Sequence, residues 1–209
     1  ITCKGKMIYV MLNGELGNAD KLAFYIAEAR RMGLPIQPPD VNRSQMRFGV
    51  SDGVVLFGLN AVKGVGSAAA EAIIAQRRQG GPFKSLLDLC ERVGDSVNRR
   101  VLENLARAGA FDCFGLRRCQ VFAMIDDSIR RAQRTIADRR AGQGSLFDFM
   151  PAAAGADFHQ VPPDLPEWDD VERLRYEKEL LGFYVTGHPT DQYADLLHTF
   201  QLETIAEVA

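Results

Sequence analysis

The chain has 209 residues, 46% hydrophobic and 25% charged, with a formal net charge of −2. That length holds one substantial core or two small ones, and the composition is that of a folded chain. No apolar run is long enough to cross a bilayer, no basic-then-apolar leader opens the chain, and the four cysteines form no CxxC pair, which argues against a membrane span, a secretory signal, a disulfide framework and a zinc site, and for reduced cytoplasmic thiols.

In chain order, residues 19–32 place Leu22, Ile26 and Ala29 on one face and predict an amphipathic helix that Gly33 stops. Pro35, Pro38 and Pro39 enforce an extended segment. Residues 47–50 and 54–57, around Ser51, Asp52 and Gly53, predict a short β-hairpin. A short helix then ends at Leu59 and Val62, and a second helix opens at Ser67 and runs to about Gln79. Between them stands Lys63-Gly64-Val65-Gly66, the pattern of a helix-hairpin-helix. Gly64 is free to take φ > 0, Gly66 allows close approach of another backbone, and Val65 plugs the space between the helices. Such a turn aims backbone N–H groups outward from a helix N-terminus, a site for a phosphate oxygen. The competing reading is a tight αα-turn whose glycines serve packing alone.

Further helices are expected over 85–93, 97–108 and about 116–140, the last with Val121, Ile125, Ile129 and Ile136 near helical spacing. Leu102, Leu105 and Ala108–Phe111 repeat the first hairpin in degenerate form, so a tandem pair is the expected unit. Glycines and prolines over 142–166 predict a flexible linker. Helix resumes over 167–182, and a last short helix is expected through Leu197. The fold class expected is mainly α, a tandem helix-hairpin-helix domain with a small β-hairpin, a flexible linker and a C-terminal helical segment.

Charge is polarised along this order. Residues 56–120 carry 10 Lys/Arg against 6 Asp/Glu, whereas residues 148–209 carry 3 against 13. A basic body suits a polyanion, although solvated helix faces of differing sign would give the same count. Lys63, Arg99, Arg100, Arg107, Arg117 and Arg118 lie in or near the tandem unit and join Gly64, Val65, Gly66 and Ser67 as candidate DNA-binding residues. Ser67 and Ala68 stand where a Lys or Arg often opens the second helix of a DNA-binding hairpin, so the affinity is expected to be modest and to rest on backbone amides. No catalytic residue and no metal site is assigned. The acidic cluster over 167–172 reads as a helix cap, and no GxxxxGK[ST], GxSxG or HExxH occurs.

Several runs together resemble the alpha (polymerizing) subunits of bacterial DNA polymerase III, the C-family replicative polymerases. They are Gly17-Asn18, Lys21-Leu22, Tyr25–Glu28 and Arg31-Met32-Gly33; then Pro38–Asn42, Gly58-Leu59, Val62–Gly66 and Gly81-Pro82-Phe83. The series closes with Asn98-Arg99-Arg100, Gly109–Asp112, Glu177-Lys178-Glu179, Leu181–Tyr184 and Gly187-His188-Pro189. Ile1–Met11 fits poorly and reads as added residues or a divergent lead-in. The chain begins at Ile1 rather than Met, and it is expected to be a piece of a longer polypeptide.

The resemblance implies that residues 1–45 end a fingers domain and 46–141 form the DNA-binding hairpin domain. Residues 142–166 would be a linker, and 167–209 would lead to an oligonucleotide-binding barrel outside the chain. Gln143, Ser145, Leu146 and Phe147 resemble the family's internal peptide for the sliding clamp. Read without the resemblance, the same apolar residues pack locally. The implied partners are double-stranded or primed DNA, the sliding clamp (beta subunit) and other holoenzyme subunits, with no membrane. No cofactor is implied for these residues, Mg2+ being expected for the parent polymerase. Alternatives are the error-prone branch of the same family, a helix-hairpin-helix repair enzyme such as a glycosylase, and a protein scaffold whose hairpins only pack.

Overall fold

The computed structural model describes residues 3–15, 19–51, 54–140 and 161–193. Helices α1 (Cys3–Gly14) and α2 (Ala19–Arg31) pack on each other and bury Ile8 and Leu12 from one against Leu22, Ile26 and Ala29 from the other. Gly33 takes φ +73°, which lets the Leu34 N–H return to the Ala29 carbonyl at 2.9 Å and closes α2 as the sequence predicted. Although Ile1–Met11 stood apart in the sequence, α1 is part of the core through Ile8.

Three short strands follow: β1 (Ile36–Gln37), β2 (Gly49–Ser51) and β3 (Val54–Leu56). β2 and β3 form the expected antiparallel hairpin, with Val50 opposite Val55. The sequence did not suggest β1, which lies parallel to β3 with Ile36 opposite Val55. A two-residue strand set between Pro35 and Pro38 carries no readable period. Its pairing continues outside the strand, where the Val55 N–H donates to the Pro35 carbonyl at 2.9 Å.

The first helix of the leading hairpin is only a 3-10 turn, Leu59–Ala61, followed by α3 (Ser67–Gly80). Gly58 before it is required by contact, since a Cβ there would stand 2.4 Å from the Arg47 carbonyl carbon. Next come α4 (Leu86–Val93), α5 (Arg99–Arg107) and the long α6 (Arg118–Arg140). Ser85 and Asn98 cap α4 and α5 by accepting the N–H groups of Asp88 and Val101, so each helix starts where a short polar side chain precedes its apolar face. α6 packs across both α4 and α5, burying Val121 and Ile125.

Pro38–Asn42 joins the sheet to the helices. The Asn42 side chain donates to the Phe83 carbonyl at 2.9 Å and accepts the Phe83 N–H at 2.7 Å. The Val41 N–H reaches the Ala110 carbonyl at 3.0 Å, and Arg77 donates to the Val41 carbonyl at 2.8 Å. One five-residue run thus ties β1 to both hairpins.

The final helix, α7 (Asp170–Leu181), lies against α5, and Leu180, Leu181 and Phe183 enter the main core. Phe183 packs against Phe57 with the rings tilted and their centroids 5.7 Å apart, and Phe57 itself meets Phe48 at 4.6 Å. Residues 161–166, expected as linker, run along the start of α6, where Gln120 donates to the Pro163 carbonyl at 2.8 Å and Arg117 to the Leu165 carbonyl at 2.8 Å. Residues 142–160 and 194–209, and with them the rest of the linker and most of the helix expected through Leu197, lie outside the described residues. The chain is mainly helical around one small sheet, and among the described residues no helix is long and apolar enough to cross a membrane.

Candidate nucleic-acid interface

The first hairpin's turn is open on its outer side. Gly64 takes φ +81°, a conformation an L side chain adopts only with strain. Val65 is buried between the helices, so among the candidate residues it serves as the plug, and its side chain is not available to a ligand. Its N–H is used internally as well, donating to the Val62 carbonyl at 3.0 Å. Gly66 is the N-cap of α3 at φ −72°, ψ 160°, extended backbone that any residue adopts. What distinguishes Gly66 is space, because a Cβ there would meet nothing within 4 Å and no side chain caps the helix. Lys63, Ser67 and Ala68 are exposed beside it. The N-terminus of α3 therefore presents uncapped amides and the positive end of its dipole to solvent.

The second hairpin, between α5 and α6, is closed. Gly109 takes φ +85°, and the Ala110 N–H returns to the Leu105 carbonyl at 2.9 Å, so the turn geometry echoes the first. Here, however, the Arg118 guanidinium covers the glycine, with Nη2 2.3 Å from where a Cβ would stand. Arg118 was expected to face DNA; the structure corrects this. It is 5% exposed, donates to Asp112 at 2.8 Å and pairs with the wholly buried Glu177 at 3.1 Å. Burial works against its charge, and the carboxylates of Asp112 and Glu177 more than offset that, raising its pKa. Glu177 spends its other oxygen on the N–H groups of Val185 and Thr186, at 2.8 and 3.0 Å. The amides that α6 would offer an anion are taken too, since Glu167 accepts those of Arg118 and Cys119 at 2.8 and 3.2 Å.

The remaining basic candidates divide by environment. Arg107 is a second correction: its guanidinium lies between the rings of Phe122 and Tyr176, 4.7 and 5.0 Å from their centroids, and packs α5 against α6 and α7. Arg117 is exposed but donates to the Leu165 carbonyl and lies 3.8 Å from Asp164. Arg99 is exposed and paired with Glu103 at 2.8 Å and Asp126 at 3.2 Å. Arg100 is exposed with no ion-pair partner among the described residues. Exposed, weakly held cations are the ones able to neutralise a phosphate, which leaves Lys63 and Arg100 foremost and Arg99 behind them.

Among the described residues no cluster of three or more His, Cys, Asp or Glu side chains could hold a metal ion. Two of the four acids over 167–172 act as helix caps: Asp169 accepts the Glu172 N–H of α7, as its position suggested, while Asp170 pairs with Arg173 and Glu172 pairs with Arg175 and accepts the Tyr176 hydroxyl. Glu167 departs from that expectation by capping α6, some fifty residues earlier in the chain. Burial pushes the Cys90 thiol up to about 12, and partial desolvation together with the Asp40 carboxylate does the same to the Cys113 thiol. Gln143, Ser145, Leu146 and Phe147 lie outside the described residues.

Sequence reading missed Asn104, whose side chain donates to the Lys63 carbonyl at 3.0 Å and so ties the second hairpin to the turn of the first. The only signal for it was a polar residue on the otherwise apolar face of Val101, Leu102 and Leu105. It also missed the pairing of Arg118 with Glu177, two residues 59 apart in sequence.

Two glycine-centred turns, each returning the chain into a helix and packed through a shared core, define a helix-hairpin-helix protein, and the helix-hairpin-helix motif family matches residues 33–121. The chain is 41% identical over 92% of its length to the DNA polymerase III subunit alpha of Caulobacter vibrioides, covering 17% of that protein. It is 44% identical over 89% of its length to the same subunit of Thermus aquaticus, covering 15% of it, and 38% identical over 88% to that of Vibrio cholerae, covering 16%. The chain is thus homologous, over about nine-tenths of its length, to bacterial DNA polymerase III alpha subunits, and it spans about one-sixth of the length of these curated relatives.

Proposed function

We propose that the chain is the DNA-gripping part of a replicative, DNA-directed DNA polymerase, binding duplex or primed DNA without regard to sequence and holding it to a sliding clamp. The observation that carries the first half is the uncapped, uncrowded N-terminus of α3 at Gly66, next to exposed Lys63. Backbone amides and a helix dipole recognise a phosphate oxygen and read no base edge, so the binding is sequence-indifferent. Template-directed nucleotide transfer and its Mg2+ belong to other parts of the parent subunit, and these residues supply grip. The basic balance of residues 56–120 supports the same partner through counterion release. The clamp half rests on Gln143, Ser145, Leu146 and Phe147, in which two apolar anchors would fill a pocket and the glutamine would orient the peptide. The other holoenzyme subunits are further partners, and the cytoplasm is the compartment.

Gly66→Asp tests the DNA half. An Asp at this N-cap accepts the first amides of α3, so the melting temperature holds or rises by the equivalent of a few tenths of a kcal/mol. The same carboxylate occupies and repels the phosphate position, so duplex affinity falls roughly tenfold. A titration of duplex DNA at several salt concentrations reads both the affinity and the salt slope. Affinity unaltered in Gly66→Asp would leave the hairpin as a packing device.

A further inference from the structure

We propose that Asn104 is a positioning residue that presents the phosphate-binding turn of the first hairpin, a role resting on the DNA-binding reading above. Asn104 sits on α5, in the second hairpin, and is 9% exposed. Its Nδ2 donates to the Lys63 carbonyl at 3.0 Å across 41 residues of sequence. The same nitrogen stands 2.5 Å from where a Cβ on Gly64 would be, so it fills the cradle that only glycine leaves. From the opposite side the Lys63 N–H donates to the Leu180 carbonyl of α7 at 2.8 Å. Both peptide groups flanking the Lys63 Cα are therefore fixed, one by the second hairpin and one by the C-terminal helix.

The residue choice is informative. Asn is a poorer helix former than Leu or Ala, and the neighbouring buried positions Val101, Leu102 and Leu105 are apolar. A leucine would pack there and leave the Lys63 carbonyl unmet; an aspartate would set a carboxylate against it. Only a short amide both reaches the carbonyl and fits against Gly64. The second hairpin has its own turn filled by Arg118 and its own helix N-terminus filled by Glu167, so it works on DNA indirectly, by holding the open turn of the first. A turn already held in place loses less freedom when a phosphate docks, and that pre-organisation appears as affinity.

A double-mutant cycle on the 209-residue chain tests this, with duplex DNA titrated at several salt concentrations and thermal melts run in parallel. Asn104→Ala is expected to weaken duplex binding roughly three- to tenfold, the range for a lost buried hydrogen bond. The salt slope should stay as in the parent chain, because no phosphate-neutralising cation is removed. In the Gly66→Asp background, where the turn is already blocked, the same substitution should change affinity by less than about twofold. Asn104→Leu, which keeps the number of side-chain heavy atoms and has better helix propensity, should repeat this pattern of affinities. Full affinity in both Asn104 variants, or an equal loss with and without Gly66→Asp, overturns the positioning role while leaving the DNA reading in place. Wild-type affinity in Gly66→Asp itself removes the DNA reading and the positioning role with it.

Discussion

At the residue scale, the two glycines of the first turn do different work, and substitution separates them. Gly64→Ala places a Cβ at φ +81° and 2.5 Å from the Asn104 amide, and a stability loss of about 1–3 kcal/mol is expected in denaturant melts. Gly66→Asp is expected to leave folding intact and to cost binding. The arginines separate in the same way. Arg118→Met strands the wholly buried Glu177 without its counter-charge and should cost about 3–5 kcal/mol of stability. Arg100→Ala should melt as the parent chain and lower the DNA salt slope by about one. The Gly64 and Gly66 spacing, the Val65 plug and the Leu22, Ile26 and Ala29 face were legible because each follows from local geometry and period. The partners of Arg107 and Arg118 were not, since Tyr176 and Glu177 reach them from the far end of the chain. Sequence shows a charge, and only the fold shows whether a carboxylate already holds it.

Elements show the same division between local and distant causes. The helix starts expected at residues 85, 97 and 167 fall within two residues of the caps Ser85, Asn98 and Asp169, whereas α6 draws its cap from Glu167, which no local pattern reveals. β1 escaped notice because two residues between prolines have no alternation to read. The cap makes a pH prediction. Burial raises the Glu167 pKa, and the N–H groups of Arg118, Trp168 and Cys119 outweigh that and hold it below the ordinary glutamate range. A carboxyl group whose folded pKa is depressed stabilises fully above its unfolded value and loses that contribution as pH falls through the folded one. Glu167→Gln should therefore lower the melting temperature at neutral pH, and the gap to the parent chain should close as pH falls below the ordinary carboxylate range. A gap that stays constant across that range would show that the charge of Glu167 is not what caps α6.

For the whole molecule, the two hairpins are unequal: the first is open toward solvent, and the second is sealed by Arg118 and Glu167 and braces the first through Asn104. The acidic C-terminal portion explains its charge in part by this arrangement, since Glu167 and Glu177 serve the helices they face. A peptide covering residues 141–149 is expected to bind the sliding clamp by itself, with Leu146→Ala and Phe147→Ala each costing roughly 1–3 kcal/mol in a binding titration. The same substitutions in the 209-residue chain should leave its thermal melt unchanged; early melting with clamp binding intact would assign both side chains to the fold. The central claim is that DNA is held by the open end of α3 and not by α6. Backbone amide chemical shifts, followed by NMR while duplex DNA is added, test it most directly. Shifts concentrated at Lys63–Ala69, with the Arg118 and Cys119 amides unmoved, are the predicted result. Movement at Arg118 and Cys119 with the first turn silent would contradict it.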